Sequence, residues 1–184
     1  MVGRGWFGGA GAGRTAAAIH DRRRAAKVFR HPRRYHMVYE PKERVIKSCS
    51  FKDKIVQHCL CDNILHPYLK NVFIRENVAG QTDEGTLFGM NVLKENMLDL
   101  FKEHGVDGWI LKCDIRKFFY EIDHAVLNDI VDYYFSDPYT RWLNHLFINS
   151  TESPGLPLGN QVAQVYALLM LDGMDKFITG DLGI

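Results

Sequence analysis

An aspartate follows a short apolar run at Trp109-Ile110-Leu111-Lys112-Cys113-Asp114, and two rings come soon after it at Phe118 and Phe119. Farther along, Gly155-Leu156-Pro157-Leu158-Gly159-Asn160-Gln161 makes a glycine-bounded turn that opens a long apolar stretch. These residue types fit phosphoryl transfer. A carboxylate at a strand end can hold Mg²⁺, which takes few protein carboxylates and keeps the rest of its octahedron for phosphates and water. Such a metal binds a triphosphate and lowers the pKa of an attacking hydroxyl. A ring at the strand end can stack under a deoxyribose and leave no space for a 2′ hydroxyl. Two glycines let backbone approach a ligand closely, and Pro157 stiffens the loop. Seen alone, an Asp after a strand is usually a cap, and the glycine turn is ordinary. Together they favour a site over a coincidence of turns.

The elements that must position these residues follow from periodicity and punctuation. Tyr35 to Tyr39 and Arg44 to Ser48 read as two short strands joined by a turn at Glu40-Pro41-Lys42-Glu43. A helix starts after Ser50, carries Ile55, Val56, Cys59, Leu60, Ile64 and Leu65 at helical spacing, and is expected to stop at Pro67. Gln81-Thr82-Asp83-Glu84-Gly85-Thr86 is a polar loop. A second helix is predicted from about Leu87 to His104, with Leu87, Met90, Leu93, Met97, Leu100 and Phe101 in one stripe and Gly105 as its C-cap. Trp109 to Cys113 reads as a buried strand. In its alternating pattern one of Phe118 and Phe119 points into the core. Asp123 is placed to N-cap a helix with Val126, Leu127, Ile130 and Val131; Tyr139 to Ile148 and Asn160 to Phe177 make two more. Strands mixed with consecutive helices give an α+β class.

The 184 residues hold 46% hydrophobic types, enough for a core. No apolar run reaches the roughly 20 residues needed to span a bilayer, so the chain reads as a soluble, cytoplasmic protein with no membrane partner. The net charge of +1 hides an asymmetry: residues 1–36 carry nine Lys/Arg and one acid, and the remainder fourteen basic and twenty-one acidic residues. Residues 1–34 are expected to be a disordered Gly/Ala/Arg-rich arm able to bind nucleic acid, with a short basic helix over 15–30 as an alternative for part of it. The four cysteines (Cys49, Cys59, Cys61 and Cys113) read as reduced thiols. His58, Cys59, Cys61 and His66 do not make a zinc site, because Cys59 and Cys61 lie about 200° apart around a helix.

Four blocks, taken in order, resemble a bacterial reverse transcriptase, closer to the retron, group II intron, diversity-generating and phage-defence types than to retroviral enzymes. They are Pro41-Lys42-Glu43-Arg44-Val45-Ile46, Phe51-Lys52-Asp53-Lys54-Ile55-Val56-Gln57-His58, Lys112 to His124, and Gly155 to Phe177. The resemblance implies right-hand polymerase fingers over 35–105 and the first half of a palm over 106–184. It implies an RNA-directed DNA polymerase that adds deoxynucleotides to a primer on an RNA template, using Mg²⁺ or Mn²⁺. Asp114 would be the catalytic metal ligand, with the Ile115 carbonyl beside it. Lys42 and Arg44 would grip the triphosphate, Phe119 would exclude ribonucleotides, and Leu158 and Gly159 would line the nucleotide. Lys54, Gln57, Gly155 and Pro157 would lie on the template and primer side.

Three departures accompany the match. Leu158 stands where many relatives have Gln. The loop at Gln81 to Thr86 carries two acids where the family is usually basic. No two aspartates are adjacent anywhere in the chain, whereas the family's Asp-Asp hairpin should follow the last helix, and its thumb after that. The expectation is therefore a truncated piece, inactive alone, whose partners are template, primer, deoxynucleoside triphosphates and the rest of the palm and thumb or a second chain. The alternative is a non-catalytic nucleic-acid-binding or protein-interaction fragment.

Overall fold

A computed structural model describes residues 34–39, 43–81 and 84–183. Residues 1–33 of the basic arm, the helix considered over 15–30, the hairpin turn at 40–42 with Lys42, and residues 82–83 of the polar loop lie outside these residues, while Arg34, expected in the arm, opens the first strand. The strand pair forms as expected. β1 (Arg34–Val38) and β2 (Arg44–Ser48) are antiparallel, with Arg34 opposite Ser48 and Val38 opposite Arg44.

Ser50 starts α1 (Phe51–Leu60) through a capping box: Asp53 N–H donates to Ser50 Oγ and Ser50 N–H to Asp53 Oδ2, both at 3.3 Å. The helix does not stop at Pro67. It widens into a π-helical turn (Cys61–Leu65), where His66 N–H reaches back to Cys61 O, and tightens again as α2 (His66–Leu69). The wide turn places Pro67 in the first turn of a new α-helical segment, where its missing N–H leaves no bond unmade. It also brings Cys61, Leu65 and Leu69 to the core with Leu60, all at most 1% exposed.

α3 (Thr86–His104) ends at Gly105 with φ +65, as its sequence predicts. Then follow α4 (Phe118–Glu121), α5 (His124–Tyr134), α6 (Pro138–Ile148) and α7 (Gln161–Lys176), which runs into a last π turn (Phe177–Asp181). Asp123 caps α5 by accepting from Ala125 N at 2.7 Å and Val126 N at 3.1 Å, and Asp137 caps α6 through Thr140 N at 2.7 Å. α7 is the central element. It packs on α1, on the first π turn and on α5, which in turn packs on α6. Its Val162, Ala163, Val165, Tyr166 and Leu169 meet Leu127, Val131, Leu143, Phe147 and Ile148 in one buried cluster. The class is helix-rich α+β. Among the described residues no helix is long and apolar enough to cross a membrane.

One expected element is missing. Residues 109–113 form no strand, and Trp109, Ile110 and Leu111 are 96%, 75% and 87% exposed. A strand exists by pairing, and the sheet of the described residues holds β1 and β2 alone. The apolar stripe of α3 is likewise uncovered: Leu87, Met90, Leu93 and Phe101 are all more than half exposed, and Val92 is the helix's buried residue.

Candidate functional site

The site is built from the turn that ends the irregular run. Lys117 sits at φ 55, ψ 30, left-handed backbone that a non-glycine residue adopts rarely. It bends the chain into α4, so Phe118 and Phe119 lie on a helical turn and not on a strand. The expected alternation of their faces is thereby corrected. Successive helical residues diverge by about 100°, and both rings are half-buried against the core, edge to face with centroids 6.0 Å apart.

The glycine turn is fastened to this segment. Gly155 N–H donates to Ile122 O at 2.8 Å and Leu156 N–H to Phe119 O at 2.7 Å. Gly155 has φ +114, and a Cβ there would lie 3.0 Å from Tyr120 O, so the position requires glycine twice over. Leu156 and Pro157 are buried and Leu158 is half-buried. The strand pair joins from the other side: Lys47 N–H donates to Leu158 O at 3.0 Å. At Gly159, with φ +101, a Cβ would come within 2.6 Å of Ile46 Cγ2. Three blocks far apart in sequence thus meet: the end of β2, the Phe119 segment and the turn from Gly155 to Gly159.

The remaining expected residues are placed as follows. Asp114 and Ile115 are exposed on the irregular run just before Lys117. Arg44 opens β2 opposite Val38, and Lys42 is outside the described residues. Lys54 is exposed on α1. Gln57 is 3% exposed, and its Nε2 donates to Cys49 Sγ at 3.4 Å, tying α1 to the end of β2. Burial, followed by the Asp53 carboxylate, pushes the Cys49 thiol above its ordinary pKa and keeps it neutral beside that amide. Pro157 is buried, so its ring shapes the turn from inside.

Asp114 offers one carboxylate, and among the described residues no three His, Cys, Asp or Glu side chains gather into a metal-holding group. That donor set does not suit an ion held by protein alone. An ion at Asp114 would need its other ligands from phosphates and water, as Mg²⁺ can take them. A cleft of about 530 Å³ lies elsewhere, between α7 and the segment of the first π turn and α2, lined by Asp62, His66, Lys70, Phe73, Gln81 and Leu168 among others. Neither Phe119 nor the turn from Gly155 to Gly159 lines it.

His124 and the polar ties of the helices are not evident in the sequence. His124 is 5% exposed and its Nε2 lies 2.8 Å from Gly155 O. The only available signal was its place directly after the capping Asp123. Asp172, 1% exposed on α7, accepts from Tyr134 Oη and pairs with Lys176 Nζ at 2.7 Å. Burial, then the Asp172 carboxylate, raises the Tyr134 pKa. Asn144 on α6 is fully buried between Thr140 O, to which its Nδ2 donates at 2.8 Å, and Tyr166 Oη, which donates to its Oδ1 at 2.8 Å. Known protein families and curated proteins provide no match to this chain.

Proposed function

We propose that this chain carries nucleotide-handling parts of an RNA-directed DNA polymerase of the bacterial reverse transcriptase kind, with fingers over 35–105 and the first half of a palm over 106–184. The observation that supports the reading is the meeting of Ile46 and Lys47, the Phe119 segment, and the turn from Gly155 to Gly159. A polymerase needs these three parts adjacent: a cationic hairpin for the triphosphate, a ring for the sugar and a backbone turn for the base. In this reading Lys42 and Arg44 attract phosphates, and Phe119 and Leu158-Gly159 shape the space for sugar and base. Asp114, with the Ile115 carbonyl, would hold Mg²⁺, which when bound neutralises phosphate charge and activates the primer hydroxyl. RNA template and DNA primer are the macromolecular partners.

The test is titration of a deoxynucleoside triphosphate with Mg²⁺ into the purified chain, beside anisotropy of a labelled RNA–DNA hybrid. Binding of both is expected, with Asp114→Asn weakening the triphosphate by about tenfold or more, since an amide is a poor Mg²⁺ ligand. Primer extension by the chain alone is not expected, because its sequence has no adjacent pair of aspartates. Binding of neither ligand would overturn the proposal. The exposed Trp109-Ile110-Leu111 run favours a second reading, a protein-interaction fragment. A chain that self-associates or captures a protein while ignoring nucleotide and hybrid would support it.

A further inference from the structure

We infer that His124 is a positioning residue for Phe119, acting through the carbonyl of Gly155; the inference rests on the nucleotide-handling role of Phe119. A carbonyl can only accept, so the 2.8 Å contact with Gly155 O fixes the proton on Nε2. His124 opens α5, at a fixed distance from Phe119 along the chain. The same glycine donates its N–H to Ile122 O, and the next residue donates to Phe119 O. His124 therefore closes a ring of three hydrogen bonds that runs from the gate segment to the turn and back. Thr151 Oγ1 also donates to Gly155 O, at 3.3 Å, and leaves the imidazole as the shorter of two donors.

The ring is needed because this segment opposes its own local preferences. Lys117 holds a left-handed conformation, which costs a non-glycine residue free energy unless surrounding contacts impose it. α4 has four residues and no side-chain cap, too short to persist unaided. Neither feature keeps Phe119 in place. The ties to Gly155 and Leu156 do, and His124, nearly buried, holds the carbonyl side of that glycine. Removing its donor would leave the Gly155 carbonyl to the longer Thr151 bond alone, let the turn shift against α4, and change where the Phe119 ring stands relative to Leu158 and Gly159.

The experiment compares the wild-type chain with His124→Ala, His124→Phe and His124→Gln. Phe keeps bulk without a donor, and Gln restores an N–H near the Nε2 position. Amide exchange by NMR is read at Gly155 and Leu156, with Val131 and Leu169 as core references. Affinity is measured for deoxy- and ribonucleoside triphosphates with Mg²⁺. In His124→Ala and His124→Phe, protection at Gly155 and Leu156 should fall roughly tenfold while the references hold, as for loss of one hydrogen bond. The preference for the deoxy form should shrink with it, and His124→Gln should recover most of both. If the Ala variant does not fold, the Phe variant decides. Unchanged protection and unchanged sugar preference in the folded variants would overturn the inference, as would equal loss in His124→Gln. A wild-type chain that binds neither nucleotide overturns the role of Phe119 itself, while the exchange rates still decide whether His124 pins the turn.

Discussion

Two stretches of this chain contain similar residues and meet opposite fates. Residues 117–124 carry two phenylalanines and a tyrosine, and they are fastened by hydrogen bonds to the turn from Gly155 to Gly159 and by Phe118 and Phe119 to the core. Residues 106–115 carry Val106, Trp109, Ile110, Leu111 and Ile115, and all five are exposed. Hydrophobicity does not separate them. The first stretch has backbone partners contributed by a loop that is itself anchored at the head of α7. The second has no strand beside it among the described residues. Between these two stretches, the apolar side chains go in where the backbone has partners and stay out where it has none.

The largest effect that can break this comparison is a core truncation. Leu127→Ala, at a position with no exposure, should destabilise by about 2–5 kcal/mol. Leu111→Ala should stay within about 0.5 kcal/mol. Urea unfolding of both decides it. Equal losses would mean that the 106–115 run is packed in solution.

A glycine beside each region sharpens the contrast. Gly105→Ala meets backbone strain alone, since nothing lies within 4 Å of its added Cβ at φ +65; a loss of roughly 1–3 kcal/mol is expected. Gly155→Ala meets comparable strain and must also move the Tyr120 carbonyl, so its loss should be clearly the larger. It should also raise amide exchange at Leu156, which Gly105→Ala should leave alone.

The cysteines report the difference by pH. Burial, followed by the Asp62 carboxylate, pushes the Cys61 thiol up to about 12, whereas Cys113 is exposed on the uncovered run. The folded state thus holds the Cys61 proton after the unfolded chain, whose thiol starts near 9.0, has released it. The stabilising contribution is complete below that value and is lost as pH climbs toward about 12. Stability should therefore fall with rising pH above about 9, and Cys61→Ala should flatten the slope. In a native labelling assay, Cys113 should react first and Cys61 only with unfolding.

The smallest effect belongs to the solvent side of α3. Arg75 pairs there with Glu95, both side chains more than half exposed. Arg75→Ala should leave the melting temperature unchanged, because an exposed pair gains little over water. A marked drop would show that the Arg75–Glu95 pair itself fastens α3.

Much of this fold was legible in the sequence because it was local. Asp123 before an apolar pattern announced α5, Gly105 announced the end of α3, and Ser50 the start of α1. What failed was non-local. Nothing inside Trp109 to Cys113 says whether a neighbouring strand is present. Nothing about Lys117 announces left-handed backbone, since lysine has no preference for it, and so the sequence pattern continues as a strand where the chain turns into α4. The candidate site was half legible. Its glycine turn and ring were identified from residue types, but the bonds joining them run between backbone groups that every residue carries. His124 became visible only when its carbonyl partner was known.

The π turn at Cys61–Leu65 works as a ratchet on the length of the first helix. A wide turn holds one more residue than the α-helical turn it replaces, and such turns break the regular ladder locally. Deleting one residue there, such as the exposed Asn63, would restore an unbroken α-helix and leave the faces before and after it in register with the core. Pro67 stands in the way. In an uninterrupted helix its ring would strike the carbonyl four residues back and leave that carbonyl without a donor. The deletion should therefore be poorly tolerated by itself and well tolerated when paired with Pro67→Ala. The chain can shorten here only in a fixed order, proline first and the extra residue second.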